Sequence, residues 1–291
     1  MKLSQFYNLV LKFGRERDPR KRKNIPSYAD TSILYGNPDT EVRRIMVGID
    51  IEVAELLLAD RIRENSGLDL VIAHHPEGRA YAALHEVMQL QVDLLKDAGM
   101  SEKIAQKYLD ERMQEVERRI LPQNHTRPVD AAELLDIPFM CMHTPADNQV
   151  YWFIKKLMDK ENPNKVRDVV DLLCEVPEYK MAKDNLVGPR IILGNPNREV
   201  GKVLIEMTGG TEGSKDVFEK LYKSGVRTLI SMHLSEEHFK KAKDANLNAI
   251  IAGHISSDTL GLNLLLDRIE KESRESFQVI NSSGFVRVKR D

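Results

Sequence analysis

The chain has 291 residues, 42% apolar and 30% charged, with a formal charge of −2, so it can bury a large core in one body or two lobes. Near-neutral charge gives no bulk support for a nucleic-acid or membrane-surface role. No stretch approaches the ~20 consecutive apolar residues of a membrane span. At the amino terminus Gly, Arg and Asp interrupt a short apolar stretch, so no export signal is read. The only cysteines, Cys141 and Cys174, lie among apolar residues, as expected of reduced thiols in a cytoplasmic protein.

In chain order, the basic run Arg15–Lys23, broken by Pro19, reads as a solvated connector. RRIMVGID (Arg43–Asp50) then predicts a strand, Ile51–Asn65 a helix and LDLVIAHH (Leu68–His75) a second strand, which makes a βαβ unit. From Tyr81 to about Glu117 the texture changes to helical periodicity with dense charge, ending near Pro122. This predicts a helical pair inserted at about 80–122; its apolar stripe over Leu84–Leu95 suits core packing or a subunit contact. PFMCMHTP (Pro138–Pro145) predicts the next strand.

The carboxyl-terminal third repeats the alternation. Strands are predicted at Lys202–Gly210, Val226–His233 and Asn248–His254, with helices over Ser214–Ser224, Ser235–Asn246 and from His254 to about Glu272, before a closing pair of strands, FQVIN and FVRVK. Strands alternating with helices imply an α/β fold with largely parallel sheets flanked by helices. There is no low-complexity tract and no short-period repeat.

Five of the eight histidines, His74, His75, His143, His233 and His254, fall at or just past the end of a strand-like run. In open α/β sheets ligands bind beyond the carboxyl ends of parallel strands. Imidazoles converging there would repel one another when protonated, and a metal is the simplest reason for them to meet. Inside a regular strand His74 and His75 would point to opposite faces, but Pro76 stops the ladder and frees both rings to turn inward. Asp147 follows His143 by four residues, and Asp258 follows His254 by four; on a helix that interval puts both side chains on one face. Ser256, Ser257 and Asp258 would equally suit a helix cap. TGGTEGSKD (Thr208–Asp216) joins strand to helix without the GlyLysSer or GlyLysThr ending of a phosphate loop, and reads as a tight turn or an anion-facing loop.

IAHHP (Ile72–Pro76), HTPAD (His143–Asp147) and GHISSD (Gly253–Asp258) together resemble the signature of the NIF-three-like proteins, dinuclear metal centre proteins often called GTP cyclohydrolase I type 2 homologues. YADTSILYGNPDTEVRRIMVGID (Tyr28–Asp50) looks like that family's entry segment and EMTGG (Glu206–Gly210) its glycine-rich turn, so the resemblance spans nearly the whole chain. It implies a single two-lobed unit over 1–291 that carries a helical insertion. It also implies a site in which His74, His75, Asp147, His254 and Asp258 hold two divalent ions: zinc, manganese, iron, cobalt or nickel.

The activity implied is metal-dependent hydrolysis of a small polar or nucleotide-like substrate; a non-catalytic metal-binding or regulatory interaction protein is the alternative. His233 and His238 are candidate acid–base residues, and His143 a candidate for orienting a ligand from outside the coordination sphere. The resemblance further implies a toroidal homohexamer. Three departures stand out: Asp258 replaces the usual Glu, the charged stretch Glu77-Gly78-Arg79 follows HisHisPro where relatives are apolar, and the His75–Asp147 interval is long.

Overall fold

The computed structural model describes residues 1–20 and 24–290; residues 21–23, part of the basic run read as a connector, lie outside the described residues. The chain falls into two compact units. One comprises Met1–Val87, Val116–Gln149 and Asp258–Asp291; the other comprises Met88–Glu115 and Val150–Ser257. Among the described residues no helix is long and apolar enough to cross a membrane. Cys141 and Cys174 are free thiols.

The elements run α1 (Leu3–Glu16), β1 (Thr31–Tyr35), β2 (Arg44–Gly48), α2 (Val53–Ser66) and β3 (Leu70–Ala73). The stretch of about 80–122 follows as α3 (Gly78–Ala82), α4 (Leu84–Val87), α5 (Leu90–Asp97) and α6 (Glu102–Ile120), and after it comes α7 (Arg127–Leu134). Next come β4 (Phe139–Met142), α8 (Thr144–Glu161), α9 (Val166–Cys174), α10 (Pro177–Asp184), β5 (Arg190–Leu193) and β6 (Lys202–Glu206). A 3₁₀ turn at Lys215–Val217 leads into α11 (Phe218–Lys223), β7 (Val226–Ser231), α12 (Glu236–Asp244), β8 (Asn248–Ile251), α13 (His254–Ser273) and β9 (Gln278–Asn281). Over the stretch of about 80–122 where a helical pair is expected, the structure has four helical segments, α3 to α6, with Gly99 at φ +103° between α5 and α6.

The first unit is built on a sheet of order β1-β4-β3-β2-β9, parallel except for the β1–β4 pair. Strands β2, β3 and β4 are almost entirely buried, as expected for parallel strands covered on both faces. One face packs Phe6, Val10, Leu262, Leu265 and Leu266 of α1 and α13 against Ile45, Val47 and Ile72. The other packs Leu56 and Ala59 of α2 against Met46, Val71 and Phe139. The predicted second closing strand does not form: Phe285–Lys289 carries no ladder, and Phe285 is buried while Arg287 bonds Asp267 and Glu270.

The second unit has a four-stranded sheet of order β5-β8-β7-β6, again parallel except at the β5–β8 edge. Both sheets thus place their first strand antiparallel to the fourth, with the third and second beyond it. A long-range sequence repeat accompanies the shared topology, GNPDTEV (Gly36–Val42) against GNPNREV (Gly194–Val200). In each copy the glycine has positive φ, +114° and +100°, which the turn into the second strand requires. The Asn side chain then accepts from the amide two residues on, Asp39 and Asn197. Each Glu forms an isolated bridge to the lysine that precedes a helix, Glu41 to Lys2 before α1 and Glu199 to Lys165 before α9. The edge strands β1 and β5, four residues or so of mixed burial, escape periodicity analysis for that reason.

Candidate metal centre

The carboxyl ends of β2, β3 and β4 lie side by side in the first sheet, and each delivers ionisable residues just beyond its last ladder position. After β2 the chain supplies Asp50, after β3 His74 and His75, after β4 His143 and then Asp147 on the first turn of α8. Because β1 runs antiparallel to β4, pairing Thr31 with Met142, its start brings Asp30 to the same end. Asp258 comes from α13. That helix begins at His254, so Asp258 sits inside it and is 1% exposed, which removes the capping reading; Ser256 and Ser257 return their hydroxyls to Gly253 O.

The backbone amides of His74 and His75 still bond the end of β2, at Gly48 O and Ile49 O, yet both rings reach Asp258. His74 Nε2 is 3.4 Å from Asp258 Oδ1 and His75 Nε2 is 3.5 Å from Oδ2. Each carboxylate oxygen therefore faces a different imidazole. Asp147 also faces these rings, with Oδ1 3.4 Å from His74 Nε2 and Oδ2 3.7 Å from His143 Nε2. These separations are long for N–H···O bonds and suit donor atoms arranged around a common centre.

Two carboxylates stand behind the rings. Asp50 Oδ1 is 2.6 Å from His75 Nδ1, and the fully buried Asp30 places Oδ2 2.8 Å from His143 Nδ1 while accepting the Thr144 hydroxyl at 2.6 Å. A carboxylate on Nδ1 keeps the proton there and turns Nε2 inward, the pattern of carboxylate–histidine–metal triads. Asp50→Asn and Asp30→Asn are each expected to weaken zinc binding ~10 to 100-fold, measured by chelator competition.

The fit to metal can be judged from the polar atoms themselves. Both nitrogens of the fully buried His74 and Oδ1 of Asp147 lack a hydrogen-bond partner, which is costly unless something else engages them. His74, His75 and His143 offer donor atoms within 4.8 Å of one another, and so do His74, Asp147 and Asp258. Imidazole and carboxylate donors suit the borderline divalent ions. Without metal the site binds protons. Burial works against a charged His74, but Asp258 and Asp147 outweigh it and raise its pKa to about 10. His75 is likewise opposed by burial, and Asp258 and Asp50 lift it to about 9.

Glu77 and Arg79 separate in role. Arg79 bonds Ser32 Oγ on β1 at 2.9 Å, whereas burial and the neighbouring Glu52 and Asp50 push the Glu77 carboxyl up to about 7. The charge departure from the family therefore adds an acid beside His75, not a cation.

In the second unit, His254 stands one helical turn before Asp258, and its ring meets that of His233 at 4.8 Å in an edge-to-face arrangement. His233 Nδ1 is 3.6 Å from Glu212 Oε1. Burial opposes the Glu212 charge, but His233, the Ser235 amide and His238 hold its pKa down at about 2. His238 is 4% exposed, with Nδ1 against Ser235 Oγ and Nε2 against Gly213 O, so both ring nitrogens are engaged within the unit. The structure thus sets His233 beside a candidate ligand and commits His238 to local bonds. Asp30, Asp50 and Glu212 were not among the residues the sequence singled out; Asp50 carried the same strand-end signal as the histidines, whereas Asp30 precedes an edge strand and carried none.

No family model matches the chain, and no curated protein does. Among solved structures, a NIF3 superfamily protein from Sphaerobacter thermophilus matches with a TM-score of 0.83 and 27% identity over 98% of this chain and 99% of that one. HcgD from Methanocaldococcus jannaschii, in its reduced form, matches at 0.58 with 15% identity, covering 97% of each chain. TTHA1606 from Thermus thermophilus matches at 0.54 with 14% identity, also over 97% of each. The latter two share the fold. The first shares sequence as well as fold over nearly the whole of both chains, which supports the resemblance of this chain to the NIF-three-like family.

Proposed function

We propose that the cluster is a dinuclear metal centre and that it supports hydrolysis of a small polar or nucleotide-like substrate. The observation that carries this reading is Asp258, whose two oxygens face His74 and His75 separately while buried nitrogens of His74 go unbonded. His74, His75, Asp147, His254 and Asp258 would hold the ions, with Asp30 and Asp50 fixing ring orientation. His143, whose Nε2 faces Asp147, is turned toward the same centre. Two divalent ions there would supply Lewis acidity and lower the pKa of water to near neutrality.

The remaining roles belong to side chains. His233, with its side chain 44% exposed and its Nδ1 beside Glu212, would exchange a proton with the substrate. Glu77, near half-ionised at neutral pH, sets the polarity beside His75. In keeping with the resemblance we read the chain as a cytoplasmic protein that assembles with copies of itself.

The test is turnover by the zinc- or manganese-loaded protein of phosphomonoesters, cyclic amides and GTP, each compared with His75→Ala and Asp258→Ala. Activity on one class that both variants abolish supports the hydrolase. No turnover on any class by a folded, metal-loaded protein would favour metal sensing or delivery instead.

A further inference from the structure

The inserted region contains two polar side chains where its helices should be apolar. On α6, Ala105, Leu109, Arg112 and Val116 form one buried stripe, and Arg112 is 8% exposed within it. On α5, Gln91 lies among Leu90, Val92, Leu94 and Leu95 and is 4% exposed. Buried side chains of this kind are retained when they satisfy something specific.

Both reach the glycine-rich loop after β6. The Gln91 amide donates to Gly209 O at 2.8 Å and to Thr211 O at 2.7 Å, and Arg112 Nε donates to Glu212 O at 3.0 Å. Three acceptors of the loop are thereby engaged from one side. Gly213 N also donates to Glu206 Oε1 at 3.0 Å, and His238 Nε2 meets Gly213 O at 2.9 Å. Gly209 and Gly210 have φ of +97° and +85°, and a Cβ on Gly209 would strike Gln91 Cγ at 2.8 Å. The loop's path is therefore set by the helices that lie on it. That path delivers the Glu212 carboxylate to the Ser235 amide at 2.5 Å and to His233 Nδ1 at 3.6 Å, with the His233 ring lying on His254.

We propose that the inserted helices are a positioning element for His233: Gln91 and Arg112 fix the 209–213 loop so that Glu212 holds the His233 ring in one orientation. Neither helix residue touches a substrate. Their effect passes through loop carbonyls to Glu212, and from Glu212 to the imidazole. The loop ordering stands on hydrogen bonds within one unit. Its bearing on proton transfer rests on the hydrolytic reading above.

The test uses the full-length protein carrying Gln91→Met, which keeps the side-chain volume and removes the donor. Amide hydrogen exchange at 209–213 is expected to rise at least about tenfold. The ring ¹⁵N resonances of His233, assigned by comparison with His233→Gln, are expected to move in both the metal-free and the zinc-loaded protein. A packing role alone would leave exchange within about twofold of the parent and the His233 ring unmoved, and that result overturns the proposal. If Gln91→Met does not fold, Arg112→Met is read by the same two measurements with the same outcomes. Failure of the parent protein to turn over any substrate would overturn the hydrolase reading but leave both of these measurements standing.

Discussion

Asp258→Ala is expected to reduce zinc or manganese affinity by more than the ~100-fold that marks the upper range for loss of an outer-shell partner. Asp258 faces both His74 and His75 through separate oxygens, and it does so from a position that is 1% exposed. It caps no helix, because α13 begins a full turn earlier. Helicity measured by circular dichroism should therefore be unchanged while isothermal titration shows the loss. Asp258→Glu restores the acid usual in the family and lengthens the arm by one methylene. If the two oxygens are ligands, Glu should bind within about tenfold of the parent, because the longer arm can still reach both rings. Equal loss in Ala and Glu would mean that the position matters for packing rather than for its carboxylate.

The second large effect is on pH. In the folded, metal-free protein His74 and His75 have pKa values raised to about 10 and 9 from an ordinary 6.5. A pKa raised on folding stabilises fully below the unfolded value and loses that contribution as pH climbs through the folded one. The metal-free chain should accordingly lose stability between about pH 6.5 and 10, as followed by urea midpoints. Metal requires the same rings neutral, so loading must expel their protons. Between about pH 6.5 and 8.5 apparent affinity is expected to rise about a hundredfold per pH unit, a factor of about ten for each of the two protons. Titrations in buffers of different ionisation enthalpy count those protons directly. A flat affinity over this range would show that binding displaces no ring proton, and would contradict the raised pKa values of His74 and His75.

Much of the arrangement is legible in the sequence. Parallel strands buried on both faces make continuous apolar runs, so β2, β3, β4, β7 and β8 announce themselves, and with them the residues at their ends. Pro76 explains how His74 and His75 can turn to one side, and both do. The interval of four residues places His254 and Asp258 on one helix face but cannot separate ligand from cap; that needs the helix start. Edge strands β1 and β5 escape because short, half-buried segments lack a period, and Asp30 escapes with β1. Gln91 and Arg112 look like members of helical faces. Their partners are loop carbonyls a hundred residues or more away along the chain. Backbone acceptors carry no residue-type signal, so no sequence pattern could have named them.

The central claim is that the His/Asp cluster holds two divalent ions. Elemental analysis of the full-length protein, loaded with excess zinc and then freed of unbound metal by gel filtration, tests it most directly when Asp258→Ala is run beside the parent. Two zinc ions per chain are expected in the parent, and none or one in the variant. A parent that retains no zinc, or a variant that retains as much as the parent, would contradict it.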